Sequence, residues 1–364
     1  MMNIAFSENT IYLVALNASY LIFSIFLSTV LLFLFLKFSK TLGIRDISSD
    51  MVRWSNGAKP AMGGIVFFII YLIGLVLTRF FYAPPLTNNL KLMGIFFSMI
   101  VAFTIGLFDD AYNTKPFVKF FAQLLCSIIL ISTGTFIHLF KSEYLNYLLT
   151  ILWVVGMMNS INMLDNMDAI TTIVTMSILI ILLVCMFITG SFISANFFLF
   201  IGLIGSLSSF LYFNWSPSKM YMGDTGSQFL GILLAMVGIV YFWNGIDYYG
   251  QAYHIKQIFM TIICFALPII DTTTVTIKRL SKGKSPFIGG KDHTTHHLAY
   301  LGLTSSQVAL VFAGISLISG LLVFTMFFIN TWKIYHTIIY SVYFLGIFGT
   351  LFRIALIPPP DSKK

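Results

Sequence analysis

Four short stretches concentrate the side chains able to do chemistry. The first, GLFDDAYNTKP, sets Asp109 beside Asp110, with Lys115 and Lys119 close behind. Adjacent carboxylates repel, and a divalent cation or a nearby lysine relieves the repulsion. They end an apolar run, where the helix macrodipole disfavours negative charge, so a merely solvated helix end explains them poorly. The second, NSINMLDNMDAI, spaces Asp165 and Asp168 three apart, on one face if helical. Its Asn159, Asn162 and Asn166 carry amides able to read a base edge or a sugar hydroxyl. The third, FNWSPSKMYMGDTGSQFLG, brackets Asp224 and Thr225 with Gly223 and Gly226. Glycine permits a tight turn there, and a helix opening at Ser227 and Gln228 would favour a phosphate at its N-terminus. A plain Asp/Thr helix cap is the competing account. The fourth, KGKSPFIGGKDHTTHHLAYLGLT, holds His293, His296 and His297 among lysines. His293 and His297 share a face if helical. No Glu follows the first histidine and no cysteine is near, so phosphate-binding donors fit better than a zinc site. Aspartates suit Mg²⁺, with Mn²⁺ as the alternative, while Lys and His suit phosphate oxygens. The combined chemistry is Mg²⁺-dependent phosphoryl transfer.

The rest of the chain must hold these groups in place, and it is written for lipid. Of 364 residues only 21 are Lys or Arg and 13 Asp or Glu, 9% in all, against about 25% in soluble domains. Hydrophobic residues make up 58%, and the mean hydropathy is +0.92. A soluble globular enzyme, a disordered chain and a nucleic-acid binder are excluded. About 20 apolar residues span a bilayer. Eleven candidate spans follow, near 11–36, 62–81, 92–108, 117–138, 145–161, 170–190, 196–213, 227–243, 257–277, 306–329 and 334–357. The first is too long for a signal-peptide core and has no basic residue before it. The expectation is an all-α, polytopic membrane protein in one domain over 1–364, frayed at 358–364. Cys126, Cys185 and Cys264 fall inside spans and read as small buried hydrophobes.

Eleven spans put the termini on opposite sides. Sixteen of the 21 basic residues then share the C-terminal side, which the positive-inside rule makes cytoplasmic, with the N-terminus outside. All four stretches fall on that side. A pump or channel would place ionisable groups along a mid-membrane path instead. Asp271 is the exception. It lies inside span 9, about 10 Å from the loop at 1.5 Å per residue, either functional or bonded to neighbouring threonines. Pro268 could kink that helix.

In order along residues 40–305 the chain carries PAMGG, FDD, a variant of N-x-x-D-G-x-D-G, F-N-x-x-P-x-x-x-x-M-G-D-x-G-S and a histidine loop. In this it resembles the polyprenyl-phosphate N-acetylhexosamine-1-phosphate transferases of the MraY/WecA type, nearer the WecA-like branch. The resemblance implies transfer of a sugar 1-phosphate from a UDP-sugar to undecaprenyl phosphate, releasing UMP, at the bacterial inner membrane. It marks this as the first membrane step of a cell-envelope glycan pathway. It implies that Asp109 and Asp110 are the paired catalytic aspartates, and that Asp224, joined by Asp109, holds Mg²⁺. Asn162, Asp165 and Asp168 would help form the uridine pocket, with Asn214 contacting the nucleotide and Tyr221 stacking on uracil. Lys115, Lys119, His293, His296 and His297 would bind substrate. Asn166 and Ala169 stand where glycines are usual, and the histidines read H-x-x-H-H rather than a contiguous triplet. The peptidoglycan-branch signature around those histidines is absent, and by resemblance this favours UDP-GlcNAc or a related UDP-HexNAc over UDP-MurNAc-pentapeptide. The implied partners are that donor, polyprenyl phosphate and membrane lipid, without nucleic acid; a homodimer is left open.

Direct in-line attack by the lipid phosphate is the expected mechanism, a covalent aspartyl-phosphate the rival. A phospho-MurNAc-pentapeptide transferase, a transporter and a catalytically dead binding protein are the rival functions. The expectation requires Asp109, Asp110 and Asp224 to gather at one place.

Overall fold

In the computed structural model the described residues are 8–42, 59–82, 90–285 and 290–358. Arg45, Arg53 and nearly all of the tail expected to fray lie outside them. The helices are α1 (Glu8–Leu42), α2 (Gly63–Phe81), α3 (Leu90–Tyr112), α4 (Pro116–Ser132), α5 (Glu143–Leu164), α6 (Ile170–Ile188), α7 (Ala195–Asn214), α8 (Gly223–Val237), α9 (His254–Cys264), α10 (Ala266–Ser281), α11 (Thr294–Tyr300), α12 (Ser305–Phe327) and α13 (Ile334–Ala355). A six-residue π-helix, Gly238–Trp243, prolongs α8. The fold is all-α. Among the described residues nine helices are long and apolar enough to cross a membrane, and α9 with α10 make a tenth, bent by 74°.

Helix α8 is the hub. It packs against α2, α3 and α5. Beyond Gln228 it is apolar on every side, as a helix without a solvent or lipid face must be. Of its most apolar window 89% is buried, against 17% for α1 and α13. The outer helices expose Phe26, Leu317 and Val342, the kind of surface a bilayer covers. Two glycines let the hub close up. A Cβ on Gly64 of α2 would strike the backbone of Gly226, and one on Gly106 of α3 the backbone of Asp224. Small residues at such crossings let helix backbones approach.

Two spans differ from the sequence reading. The one expected over 117–138 is the 17-residue α4. Gly134, at φ +84°, ends it, with Thr135 N–H bonded to Leu130 O and Gly134 N–H to Ile131 O. The one expected over 257–277 breaks at Phe265. Pro268 has no N–H and its ring would clash with the carbonyl four residues back, that of Cys264, so the helix stops there and restarts in a new direction.

The far end of the bundle, beyond Trp243, is closed by a buried ion pair. Lys256 Nζ lies 2.7 Å from Asp247 Oδ2 and donates to Ile329 O at 2.7 Å. Asp247 Oδ1 accepts from the backbone N–H groups of Tyr249 and Gln251, both at 2.9 Å.

Candidate active site

At the other end of α8, the end of α3 meets the start of α8. Both oxygens of Asp110 are committed there. Oδ1 accepts from Asp224 N–H at 2.9 Å, and Oδ2 from Thr225 N–H at 2.8 Å and the Thr225 hydroxyl at 2.6 Å. Asp110 thus caps α8 from a different helix. Its charge sits badly at the C-terminus of α3 and well at the N-terminus of α8. Gly223, at φ +76°, makes the turn into α8, and a Cβ there would lie 2.5 Å from Asp110 Oδ2. Helix α8 therefore starts four residues before Ser227. At its N-terminus, where a phosphate was expected, Asp110 takes the N–H groups of Asp224 and Thr225.

The capped turn presents Asp224. Asn162 Nδ2 of α5 donates to Asp224 Oδ1, and to Ser227 Oγ at 2.9 Å. Lys119 of α4 bridges the acids: Nζ pairs with Asp109 Oδ2 and lies 3.6 Å from Asp224 Oδ2. Asp109 Oδ1 accepts from the Thr114 N–H at 2.8 Å and its hydroxyl at 2.5 Å. The Asp109 and Asp224 carboxyls thus share one ammonium. Asp109 is buried, while Asp224 and Lys119 keep 25% and 23% of their side chains exposed. So Asp109, Asp110, Asp224, Asn162 and Lys119 gather, whereas Lys115 is the exposed N-cap of α4.

Among the described residues no group of three or more His, Cys, Asp or Glu is arranged to hold a metal ion. That does not argue against Mg²⁺, which usually takes only one or two protein carboxylates plus waters and substrate phosphates. The oxygen donors of Asp109 and Asp224, close together beside one ammonium, fit that requirement.

A second group of contacts builds the loop before α8. PAMGG runs beside it: Tyr221 N–H donates to Pro60 O at 2.9 Å, and Gly64 N–H to Met222 O at 2.9 Å. Lys59 Nζ donates to Ser218 Oγ at 3.0 Å and lies 5.2 Å from the centre of the Tyr221 ring. Asp168 accepts from the Ser218 hydroxyl at 2.8 Å and its N–H at 3.1 Å. Asp165 and Asp168 do not share a helix face, because α5 ends at Leu164 and Asp165 is its C-cap. Asn214 is buried, with its amide spent inside the protein. Its Oδ1 accepts from Ala169 N–H at 3.0 Å and its Nδ2 donates to Met220 O at 3.0 Å. It fixes the loop rather than lining the cleft. Ala169 adopts φ +68°, the left-handed conformation a glycine would hold without strain.

The histidine loop docks onto the same region. Asn166 Oδ1 accepts from the Thr295 hydroxyl at 2.6 Å. Asp271 reaches the loop through Thr294, whose N–H and hydroxyl lie at 2.9 and 2.6 Å, not through neighbouring threonines. His293 Nδ1 donates to Asp271 Oδ2 at 2.8 Å. His293 is the N-cap of α11, so it does not share a helix face with His297. His297 Nε2 instead accepts from Lys278 Nζ at 2.7 Å, and Arg279 forks onto Asp292 at 2.7 and 2.9 Å. All three histidines are buried. Burial pushes His296 down to about 3. Burial and the adjacent Lys278 push His297 down to about 4. Both are neutral at pH 7, so they do not supply cationic phosphate donors. Burial raises the Asp292 carboxyl and Arg279 more than offsets this, leaving it below the usual carboxylate range.

Sequence reasoning missed Lys59, although it directly precedes PAMGG, and Thr114, five residues after Asp109. It assigned Asn159 to a ligand, yet Asn159 pairs with Gln123 inside the bundle.

Residues 92–242 match the family described as Glycosyl transferase family 4. That stretch carries Asp109, Asp110, Lys119, Asn162 and Asp224. A Pasteurella multocida protein named undecaprenyl-phosphate alpha-N-acetylglucosaminyl 1-phosphate transferase is 30% identical over 328 residues, 85% of this chain and 87% of its own. A Bacillus subtilis protein named "Probable undecaprenyl-phosphate N-acetylglucosaminyl 1-phosphate transferase" is 27% identical over 261 residues, 69% of each chain. A Thermotoga maritima phospho-N-acetylmuramoyl-pentapeptide-transferase is 27% identical over 333 residues, 85% of this chain and 98% of its own. The chain belongs to the polyprenyl-phosphate N-acetylhexosamine-1-phosphate transferase family.

Proposed function

We propose that this protein transfers an N-acetylhexosamine 1-phosphate, with GlcNAc 1-phosphate preferred, from its UDP-sugar to undecaprenyl phosphate at the cytoplasmic face of a bacterial inner membrane. The observation that carries the reading is the meeting of Asp109 and Asp224, from two different helices, around the Lys119 ammonium. The similarity to relatives named for GlcNAc 1-phosphate transfer supports the donor.

A phosphate monoester has a second pKa of about 6, so the lipid phosphate arrives mostly as the dianion and needs no base. One of its oxygens attacks the β-phosphorus, which bears the sugar. The bond from that phosphorus to the bridging oxygen breaks, and UMP leaves with the oxygen. Asp224 and Asp109 are the residues that would hold Mg²⁺, whose charge would neutralise the diphosphate oxygens. Asp110 acts through α8: it holds the turn that aims Asp224. Lys119 stands where phosphate oxygens would approach the pair, and Tyr221 is the ring for uracil.

The test is UMP release by membranes holding the protein, across UDP-GlcNAc, UDP-GalNAc and UDP-MurNAc-pentapeptide. Release from UDP-GlcNAc that needs both polyprenyl phosphate and Mg²⁺ or Mn²⁺ is expected. Preference for UDP-MurNAc-pentapeptide would install the second reading, which the Thermotoga relative favours. Release without lipid, or a labelled sugar-phosphate trapped on the protein, would overturn the direct mechanism. No release from any donor would overturn the function.

A further inference from the structure

One turn below the charged groups lies an uncharged copy of their arrangement. Lys119 of α4 has Gln123 four residues deeper, Asp224 of α8 has Gln228, and Asn162 of α5 has Asn159 three residues deeper. At helical spacing each pair shares a face. The three amides meet. Gln123 and Asn159 bond reciprocally: Asn159 Nδ2 donates to Gln123 Oε1 at 2.7 Å, and Gln123 Nε2 to Asn159 Oδ1 at 3.3 Å. Gln123 Nε2 also donates to Gln228 Oε1 at 3.2 Å. Gln123 is 0% and Gln228 1% exposed, and Gln228 Nε2 meets no acceptor among the described residues.

Stability alone is a poor reason for this cluster. Amide bonds between membrane helices are individually weak, and a buried donor without an acceptor is unfavourable, so apolar side chains of the same shape would pack here at least as well. Direction is what amides add. Leucine and methionine tolerate a slide or rotation of α4, whereas a reciprocal pair of hydrogen bonds does not. Helix α4 also contributes nothing else to the charged site but Lys119.

We propose that Gln123, Asn159 and Gln228 form a positioning layer that locks α4 in register against α5 and α8, and so holds the Lys119 ammonium between Asp109 and Asp224. None of the three touches substrate. The inference rests on the phosphoryl-transfer reading for its consequence, but the register itself is measurable without turnover.

The test uses the full-length protein in membranes or detergent with Gln228→Met, Asn159→Gln, Gln123→Asn and the double swap Gln123→Asn/Asn159→Gln. The swap exchanges the longer and shorter amides across the same contact, so it preserves the reach of the pair. Two readouts are taken. The first is acylation of Lys119 by an amine-reactive reagent, quantified by mass spectrometry relative to the exposed Lys115. The second is kcat and donor KM per folded molecule, with Tm recorded. The expected result is a Lys119/Lys115 ratio at least three-fold higher in the single variants, kcat at least ten-fold lower and KM within two-fold, with the effects of Gln123→Asn and Asn159→Gln restored towards wild type by the swap. An unchanged ratio overturns the proposal. So does a loss of turnover that merely follows loss of folded protein, or a swap that behaves as the sum of its parts. Wild-type protein that releases no UMP counts against the proposed function alone, because the labelling ratio still reads the register.

Discussion

The two ends of the bundle set aspartates against lysines under different charge balances. Beyond Trp243, Asp247 and Lys256 form a closed pair: one carboxylate, one ammonium, and backbone partners for the remaining positions. At the α3–α8 end, Asp109 and Asp224 share the ammonium of Lys119, while Asp110 spends both oxygens on the start of α8. Unbalanced charge in a low-dielectric setting is unfavourable unless a ligand completes it. The first arrangement needs nothing more and is a latch. The second sets two carboxyls, those of Asp109 and Asp224, against one ammonium, an imbalance that a bound cation would relieve.

The comparison breaks most sharply at Asp224. Asp224→Asn should abolish UMP release, by about a thousand-fold or more, with the protein still inserted. Substantial residual activity in that variant would remove the metal role. At the latch the opposite pattern is expected. Lys256→Met leaves a buried carboxylate unpaired and should destabilise the fold by about 3–5 kcal/mol, with activity per folded molecule unchanged. Adding Asp247→Asn should recover part of the loss in thermal unfolding.

A smaller effect follows from pH. The ordinary histidine value is 6.5, and folding lowers His297 to about 4 and His296 to about 3. Below pH 6.5 the unfolded chain takes up protons that the folded chain refuses. Stability is therefore full above that value and declines as pH falls towards 4. Unfolding midpoints that do not move between pH 7 and 5 would count against neutral buried imidazoles. The smallest effect is expected at Ala169. Ala169→Gly relieves a left-handed alanine and should stabilise the protein by about 1 kcal/mol, read as a small rise in Tm.

Much of the site was legible because its members are punctuation in an apolar text. FDD closes one long apolar run and MGD precedes another, so both stand out. What each member does was less legible. Asp109 and Asp110 look equivalent in the sequence, yet one faces Lys119 and the other caps α8. Asn162 and Asn214 both read as ligand amides, yet only Asn162 reaches Asp224, and Asn214 is walled in. Periodicity locates a face of a helix but not what that face meets. The break at Phe265 was signalled by Pro268, but its 74° angle was not, since packing sets the direction in which a helix resumes.

Composition by itself determined that this chain spans a membrane many times, because 58% hydrophobic residues with 9% charged leave lipid as the only solvent for its surface. Motif order along the chain singled out the candidate residues. Only the tertiary structure decided how those residues divide the work. Hydrogen bonds such as Asp110 to Thr225 or Asn162 to Asp224 join positions 115 and 62 residues apart, and no local pattern specifies which of several identical side chains will make them.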